Sequence, residues 1–203
     1  MKRAFTLLLA GLIWTAAAFA GPDIATLSVR ADQYRGTYDA VVLMEETDVK
    51  VAPSGMTEVL ETRAIKMLNH SGCRDHHTVS FFYDPLTQIQ EVTRASVIHA
   101  NGDKTEIPLD TVRTYPQPAR AIYWPNIRIS IPFGLLNPGD VVTYTVRRKG
   151  FSYALLDEPA GGASDESRFQ PPMKGQFYDI VHFQGFQPIL YKQYSVELPQ
   201  GKP

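Results

Sequence analysis

The chain has 203 residues, 44% of them hydrophobic and 20% charged, with a formal charge of −1 and a single cysteine. So even a charge balance gives no electrostatic reason to bind nucleic acid or anionic lipid, and one cysteine excludes an internal disulfide. The length suits one domain of ordinary size, with enough apolar surface to fold without covalent staples.

Met1-Lys2-Arg3 opens the chain with positive charge, and Ala4 to Ala17 is uncharged and mostly apolar. Ala18-Phe19-Ala20 then supplies a small-x-small pattern, and Gly21-Pro22 starts a non-helical segment. These are the parts of a cleavable export signal. The uncharged stretch from Ala4 to Ala20 falls short of the ~20 apolar residues that span a bilayer. Residues 1–20 are therefore predicted to be a signal peptide cut after Ala20, and the mature protein to be periplasmic or secreted. Losing Lys2 and Arg3, with no acidic residue, would move the formal charge from −1 to −3. The only cysteine is Cys73, so no lipid can be attached at the cut. No later stretch is long and apolar enough to cross a membrane.

Residues 21–35 read as a polar lead-in without clear structure, and residues 36–203 as one β-rich domain. Ala40 to Val51 and Thr57 to Leu68 flank the turn cluster Pro53-Ser54-Gly55 and predict a long hairpin. Glu45, Glu61 and Arg63 interrupt its alternation, which suggests a partly exposed ribbon. Asn69 to Gly72 breaks the pattern. Thr78 to Tyr83 is a short aromatic strand stopped by Asp84-Pro85. Gln88 to Ala100 is a further strand, and Asn101-Gly102-Asp103 turns it into Lys104 to Ile107. Ile127 to Ile131 alternates strictly. After Pro138-Gly139-Asp140, Val142, Tyr144 and Val146 alternate in what reads as its return strand. Residues 157–175 carry no period and predict a long loop. Phe177 to Phe183 and Leu190 to Leu198 complete the set. About nine short strands with turns between them predict an all-β fold, an antiparallel β-sandwich or an open barrel. Gln200-Gly201 looks like a hairpin turn with no return strand before Pro203, so the domain is expected to be incomplete at its C-terminus.

Four constellations could carry chemistry. Cys73 beside His76 and His77 has the types of a thiol nucleophile and its base, but facing each other at that spacing needs a helix or a tight loop. His70, Asp75, His76 and His77 could be drawn as a metal site, yet the spacing matches no standard one. Glu45, Glu46 and Asp48 are clustered acids, of which Glu46 and Asp48 would share a strand face. Tyr115, Arg120, Tyr123 and Trp124 could form an aromatic platform. His99 reads as an exposed strand end, and His182 as a structural histidine in a late strand. There is no phosphate loop, dinucleotide fingerprint, serine elbow or HExxH. No residue is assigned a catalytic, cofactor-binding or metal-ligating role, and no cofactor is expected.

The motifs also recur in a recognisable order. Val41-Val42-Leu43, Glu46-Thr47 and a Pro-x-Gly turn precede Ala64-Ile65-Lys66. Phe82-Tyr83-Asp84-Pro85, His99-Ala100-Asn101-Gly102, Ile131-Pro132 and Leu136-Asn137-Pro138-Gly139-Asp140-Val141-Val142 follow. Phe183-Gln184, Pro188-Ile189 and Tyr194-Ser195-Val196-Glu197-Leu198-Pro199 close the series. Over residues 36–203 this resembles the domain of unknown function 3857, a β-rich domain of exported bacterial proteins that lies just ahead of a transglutaminase-like core. The resemblance implies a non-catalytic accessory domain. It would position or recognise a polypeptide or envelope substrate for a transglutaminase-like or protease-like domain, in cis or in trans. The catalytic cysteine, histidine and aspartate would belong to that other domain, and none maps onto this chain. The alternatives are a freestanding extracytoplasmic binding module for glycan or protein and a small thiol hydrolase using Cys73.

The export signal generates a direct expectation. Protein recovered from outside the cytoplasm should begin at Gly21, as read by N-terminal sequencing. Exported material that still begins at Met1 would reject cleavage.

Overall fold

The computed structural model describes residues 21–116, 126–151 and 177–201. The predicted signal peptide, the predicted loop over 157–175, and Arg120, Tyr123 and Trp124 lie outside the described residues. Nine strands are seen among those described. They are β1 (Ala40–Val51), β2 (Thr57–Met67), β3 (Thr78–Tyr83), β4 (Gln88–Ile98), β5 (Lys104–Glu106), β6 (Arg113–Pro116), β7 (Ile127–Pro132), β8 (Val141–Gly150) and β9 (Lys192–Glu197). Two short α-helices, α1 (Ile24–Ala31) and α2 (His70–His76), accompany them.

The strands form two sheets. The larger runs β5-β4-β8-β2-β1-β9, and the smaller runs β3-β7-β6. The sheets do not close into a barrel, so of the two predicted architectures the fold is the all-β sandwich. Every pairing is antiparallel except that of β1 with β9, which is parallel.

The predicted hairpin forms, but as the centre of the large sheet rather than a partly exposed ribbon. Its turn closes with Gly55, at a φ of +89° that favours glycine, and Gly55 N–H donates to Ala52 O at 2.9 Å. The register of β1 against β2 shifts between Val42 and Met44, leaving Leu43 as an extra residue. A strand's side chains alternate with a period of two, so one extra residue moves everything beyond it to the other face. Val42 and Ile65 therefore pack between the sheets with Met67, Val97, Val142, Tyr144, Val146, Ile131 and Phe133. Val41, Leu43, Met44 and Ala64 face the opposite way, against Leu27 and Ala31 of α1. Beyond the shift, Glu45 stands on the same face as Val42. The strand β4 repeats the device between Val92 and Arg94, which keeps Val92, Ala95 and Val97 on the inner face.

The lead-in segment is ordered. Asp23 caps α1 by accepting from Thr26 N–H at 3.2 Å, and Leu27 and Ala31, four residues apart, are fully buried against the hairpin. Lys66 fixes the following turn by donating to Ser28 O and Asp32 Oδ1, each at 2.8 Å. The segment read as a break after β2 is the start of α2. Asn69 caps it by accepting from Gly72 N–H at 3.0 Å. Gly72 lies so close to the chain at Asp39 that an added Cβ would fall 2.9 Å from the Asp39 carbonyl carbon.

Two predicted strand relations do not form. β8 is not the return strand of β7. It enters the large sheet between β4 and β2, while β7 lies between β3 and β6. The link between them is a sheet-to-sheet crossing held by Asp140, a carboxylate only 2% exposed. Asp140 accepts from Ala100 N–H at 3.1 Å and from Asn137 N–H at 2.9 Å. Phe177 to Phe183 is not a strand. It pairs with no ladder among the described residues, and Tyr178, Ile180 and Phe183 are exposed. The last strand is shorter than the predicted Leu190 to Leu198, since Leu190 and Leu198 fall outside it.

Asp140 gives a test of this crossing. Asp140→Ala leaves the Ala100 and Asn137 N–H groups without their acceptor at a partly buried site, and hydrogen bonds to a charged group contribute about 1.5–3 kcal/mol. A clear fall in the urea midpoint is expected, with a smaller loss for Asp140→Asn, which keeps one acceptor oxygen. An unchanged midpoint for Asp140→Ala would show that the crossing holds without it.

Candidate functional site

The side chains with chemical potential fall in four places. The first is a cross-strand ion cluster. Register sets Glu45 opposite Arg63 on one side and Lys192 on the other. Glu45 is only 6% exposed. Arg63 Nε donates to Glu45 Oε2 at 2.8 Å, and Lys192 Nζ donates to Glu45 Oε1 and, at 2.7 Å, to His182 O. Glu61 extends the network to Arg63 at 3.9 Å and to Arg148 at 3.6 Å. Burial alone would push the Glu45 carboxyl up. The Lys192 hydrogen bond and the charge and hydrogen bond of Arg63 overcome it and hold the group below its ordinary range. Arg63 borders Tyr144, whose hydroxyl burial pushes upward in pKa. Nearby, Tyr194 donates to Asp179 Oδ2 at 2.6 Å, and burial and that carboxylate raise the phenol. A cleft of about 260 Å³ opens beside them, lined in part by Arg148, Phe151, Phe177 and Asp179.

The second place is Cys73. Both Cys73 and His76 lie on α2, so the helix that their pairing would need is present. Even so, it does not bring them together. Cys73 points into the core between the sheets and is 6% exposed. Burial pushes its thiol up, and the charge of Asp140 adds to the rise. His76 engages Gly72 O through Nδ1 at 3.0 Å, and His77 engages Arg74 O through Nδ1 at 2.5 Å. Each histidine has thus spent one ring nitrogen on its own helix. An open depression of about 710 Å³ lies alongside, lined by His70, Cys73, Arg74, His77, Gly134, Leu135 and Leu136. Among the described residues no three His, Cys, Asp or Glu side chains converge as a metal ion requires.

The third place is the acidic pair. Glu46 and Asp48 do share a face, the one that α1 covers farther back. Glu46 is half-buried, and burial first and Asp48 second push its carboxyl up. Asp48 is exposed and accepts from Ser195 Oγ. Asp48, with Lys50, Glu58, Leu60 and Glu197, borders an open depression of about 680 Å³ that Glu46 does not line. The fourth is Tyr115, which carries the Arg128 guanidinium over its ring at 5.4 Å. The remaining residues of the predicted platform lie outside the described residues. His99 is not a free strand end. It is partly covered, with Nε2 at 3.0 Å from Thr105 Oγ1 and Nδ1 at 3.5 Å from Asp140. His182 lies outside any strand.

Sequence reading took Glu45, Glu61 and Arg63 as interruptions and did not join Lys192 to them. The available signal was opposite charge at positions that pair across strands. Using it required the register, which the Leu43 shift hides.

The ion cluster makes a pH prediction. The folded-state pKa of Glu45 lies below its ordinary value of 4.5. On acidification the unfolded chain therefore takes up the proton first. The stability contributed by the cluster is complete above that ordinary value and is lost as pH falls through the folded-state pKa. Urea midpoints followed from pH 7 to pH 3 should fall less steeply in Glu45→Gln than in the natural chain. At pH 7, Arg63→Ala leaves Glu45 paired with Lys192 alone and should cost about 1.5–3 kcal/mol, the range for hydrogen bonds to a charged group.

Comparison with known proteins fits this picture at the level of fold. The model of a family described as a Domain of Unknown Function with a solved structure, DUF3857, matches residues 53–203. No curated protein sequence gives a significant match. A protein suggested to be a protease, from Parabacteroides distasonis ATCC 8503, shares the fold at 12% identity and a TM-score of 0.51. The alignment takes in 59% of this chain but only 25% of that one. A family 3a carbohydrate-binding module from the cipA scaffolding of Clostridium thermocellum aligns at 18% identity and a TM-score of 0.32, over 55% of this chain and 75% of that one. An M1 zinc metallopeptidase from Deinococcus radiodurans aligns at 17% identity and a TM-score of 0.30, over 61% and 23%. At these two scores the likeness carries no argument. The family model takes in well over half of the sequence, and the chain belongs to the DUF3857 family.

Proposed function

We propose that this chain is an exported, non-catalytic accessory domain. It positions or recognises a polypeptide or envelope substrate for a transglutaminase-like or protease-like domain, and it works in the periplasm or outside the cell. The observation that carries the reading is the state of the one candidate nucleophile. Cys73 is packed into the core, its thiol is disfavoured as thiolate by burial, and the histidines beside it are tied to backbone carbonyls of the same helix. A working thiol needs the reverse, an accessible sulfur with a lowered pKa. The ionic groups near Glu45 neutralise one another rather than leaving an acid and a base poised apart. Support for the partner comes from the suggested protease of Parabacteroides distasonis, of which the matched fold makes up only 25%.

The test has two arms. The purified domain should hydrolyse neither casein nor activated esters, and Cys73→Ser should change nothing but a modest packing loss. Thiol-dependent turnover abolished by Cys73→Ser, at an unchanged melting temperature, would overturn the reading in favour of a thiol hydrolase. In a protein that joins this domain to a transglutaminase-like or protease-like domain, deleting the β domain should raise KM for a polypeptide. It should leave kcat on a small ester unchanged. Equal KM values with and without the β domain would remove the positioning role.

A further inference from the structure

The residue that export would expose as a new N-terminus is already in place against an unpaired acid. Asp23 caps α1, and α1 is docked on the hairpin through Leu27 and Ala31. Gly21 therefore sits at a fixed spot two residues before the cap, and Pro22 limits the conformations open to it. That spot is the Glu46 carboxylate. A methyl group added to Gly21 would collide with Glu46 Oε1 and come 3.4 Å from Cε1 of Tyr191. The added methyl position is about 2.5 Å from the Gly21 nitrogen, which puts that nitrogen within about 5 Å of Oε1.

Among the described residues Glu46 has no positive partner. On the neighbouring strands it stands opposite Thr62 and Gln193, both uncharged. Thr62 bonds to Thr145 at 3.1 Å, and Gln193 accepts from the Tyr191 hydroxyl. Two residues along β1 lies Asp48, another acid. Glu46 makes no hydrogen bond or ion pair among the described residues. Burial and Asp48 both push its carboxyl toward the protonated form. This half-buried carboxylate is held without compensation, an arrangement that costs stability unless a cation arrives.

We propose that Glu46 is the receiving site for the α-ammonium of Gly21, which forms when the chain is cut after Ala20. Hydrolysis of the Ala20–Gly21 peptide bond adds one water. The carboxylate stays on the departing segment, and the amine on Gly21 takes a proton at neutral pH. Before the cut, the Gly21 nitrogen is an uncharged amide and can give Glu46 no charge. Afterwards it is a cation held beside the Glu46 carboxylate by the capped helix. Removing the signal thus stabilises the domain through one new ion pair at the joint between α1 and β1.

The inference rests on the export reading, and its test separates the two. N-terminal sequencing of exported protein reports processing alone. The pair itself is tested on protein released to begin at Gly21, compared with the same protein acetylated at that residue and with each form of Glu46→Gln. The free-amine form should melt about 2–4 °C above the acetylated one, and Glu46→Gln should remove that difference. Acylation of the Gly21 amine at neutral pH should be several-fold faster in Glu46→Gln, because a carboxylate holds the amine protonated. A melting difference that persists in Glu46→Gln, or equal acylation rates in the two proteins, would overturn the proposal. An exported protein that starts elsewhere would overturn the export reading on which the inference depends.

Discussion

One extra residue in β1 organises this domain. Up to Val42 the strand follows plain alternation, with alternate residues facing the small sheet and α1. Leu43 breaks the register, and two successive apolar residues, Leu43 and Met44, then point at α1. Glu45 is thereby turned inward. Without the shift it would face outward with Val41 and Leu43, and Glu46 would face the sandwich interior. The shift thus decides which acid meets Arg63 and Lys192 and which is left near the start of α1. Both the buried ion cluster and the isolated Glu46 are consequences of a single backbone irregularity.

The cluster in turn attaches the last strand. β9 is an edge strand among the described residues and pairs in parallel with β1, a pairing slightly less stable per residue than the antiparallel kind. Its link to the rest is reinforced where the register sets Lys192 beside Glu45. Just before it, the backbone bonds of Val42 N–H to Pro188 O at 3.0 Å and Leu190 N–H to Val42 O at 2.9 Å continue the alignment. A lysine that points inward, paired with a buried carboxylate, also marks one register out of several that a short polar strand could adopt. Sliding β9 by one residue would turn Lys192 to the other face and strand Glu45 with Arg63 alone.

Much of the fold was readable from local pattern. The turns at Pro53-Ser54-Gly55 and Asn101-Gly102-Asp103 and the strand Thr78–Tyr83 needed only turn chemistry and alternation. What failed was whatever depends on distant pairing. Ile127 to Ile131 and Val142 to Val146 look like two arms of a hairpin, because both alternate and a Pro-Gly-Asp turn separates them. Nothing local reveals that Asp140 is buried and anchors a crossing to the other sheet. Phe177 to Phe183 has strand-forming residues, but no ladder among the described residues receives it. Helix α1 was within reach, since Asp23 and Thr26 mark a cap and Leu27 and Ala31 share a face. At eight residues its period is too brief to stand out from a polar lead-in. The candidate site fared similarly. The separate members of the ion cluster were visible as residues, and the bulge that assembles them was not.

The large sheet divides along its length into two physically different halves. At the end near Val42, Ile65 and Val142 both faces are closed, one by the small sheet and the other by α1. Removing atoms there opens cavities or strands buried groups. Toward Val49 and Val59 one face is buried instead against Phe177 and Tyr194, and the other carries Asp48, Lys50, Glu58, Leu60 and Glu197 around an open depression. Charges at exposed positions of this kind contribute little to folding, since water screens them. Their substitution should therefore be tolerated by the fold while changing what the surface can hold. The architecture thus separates the residues that keep the domain folded from exposed ones whose exchange the fold tolerates.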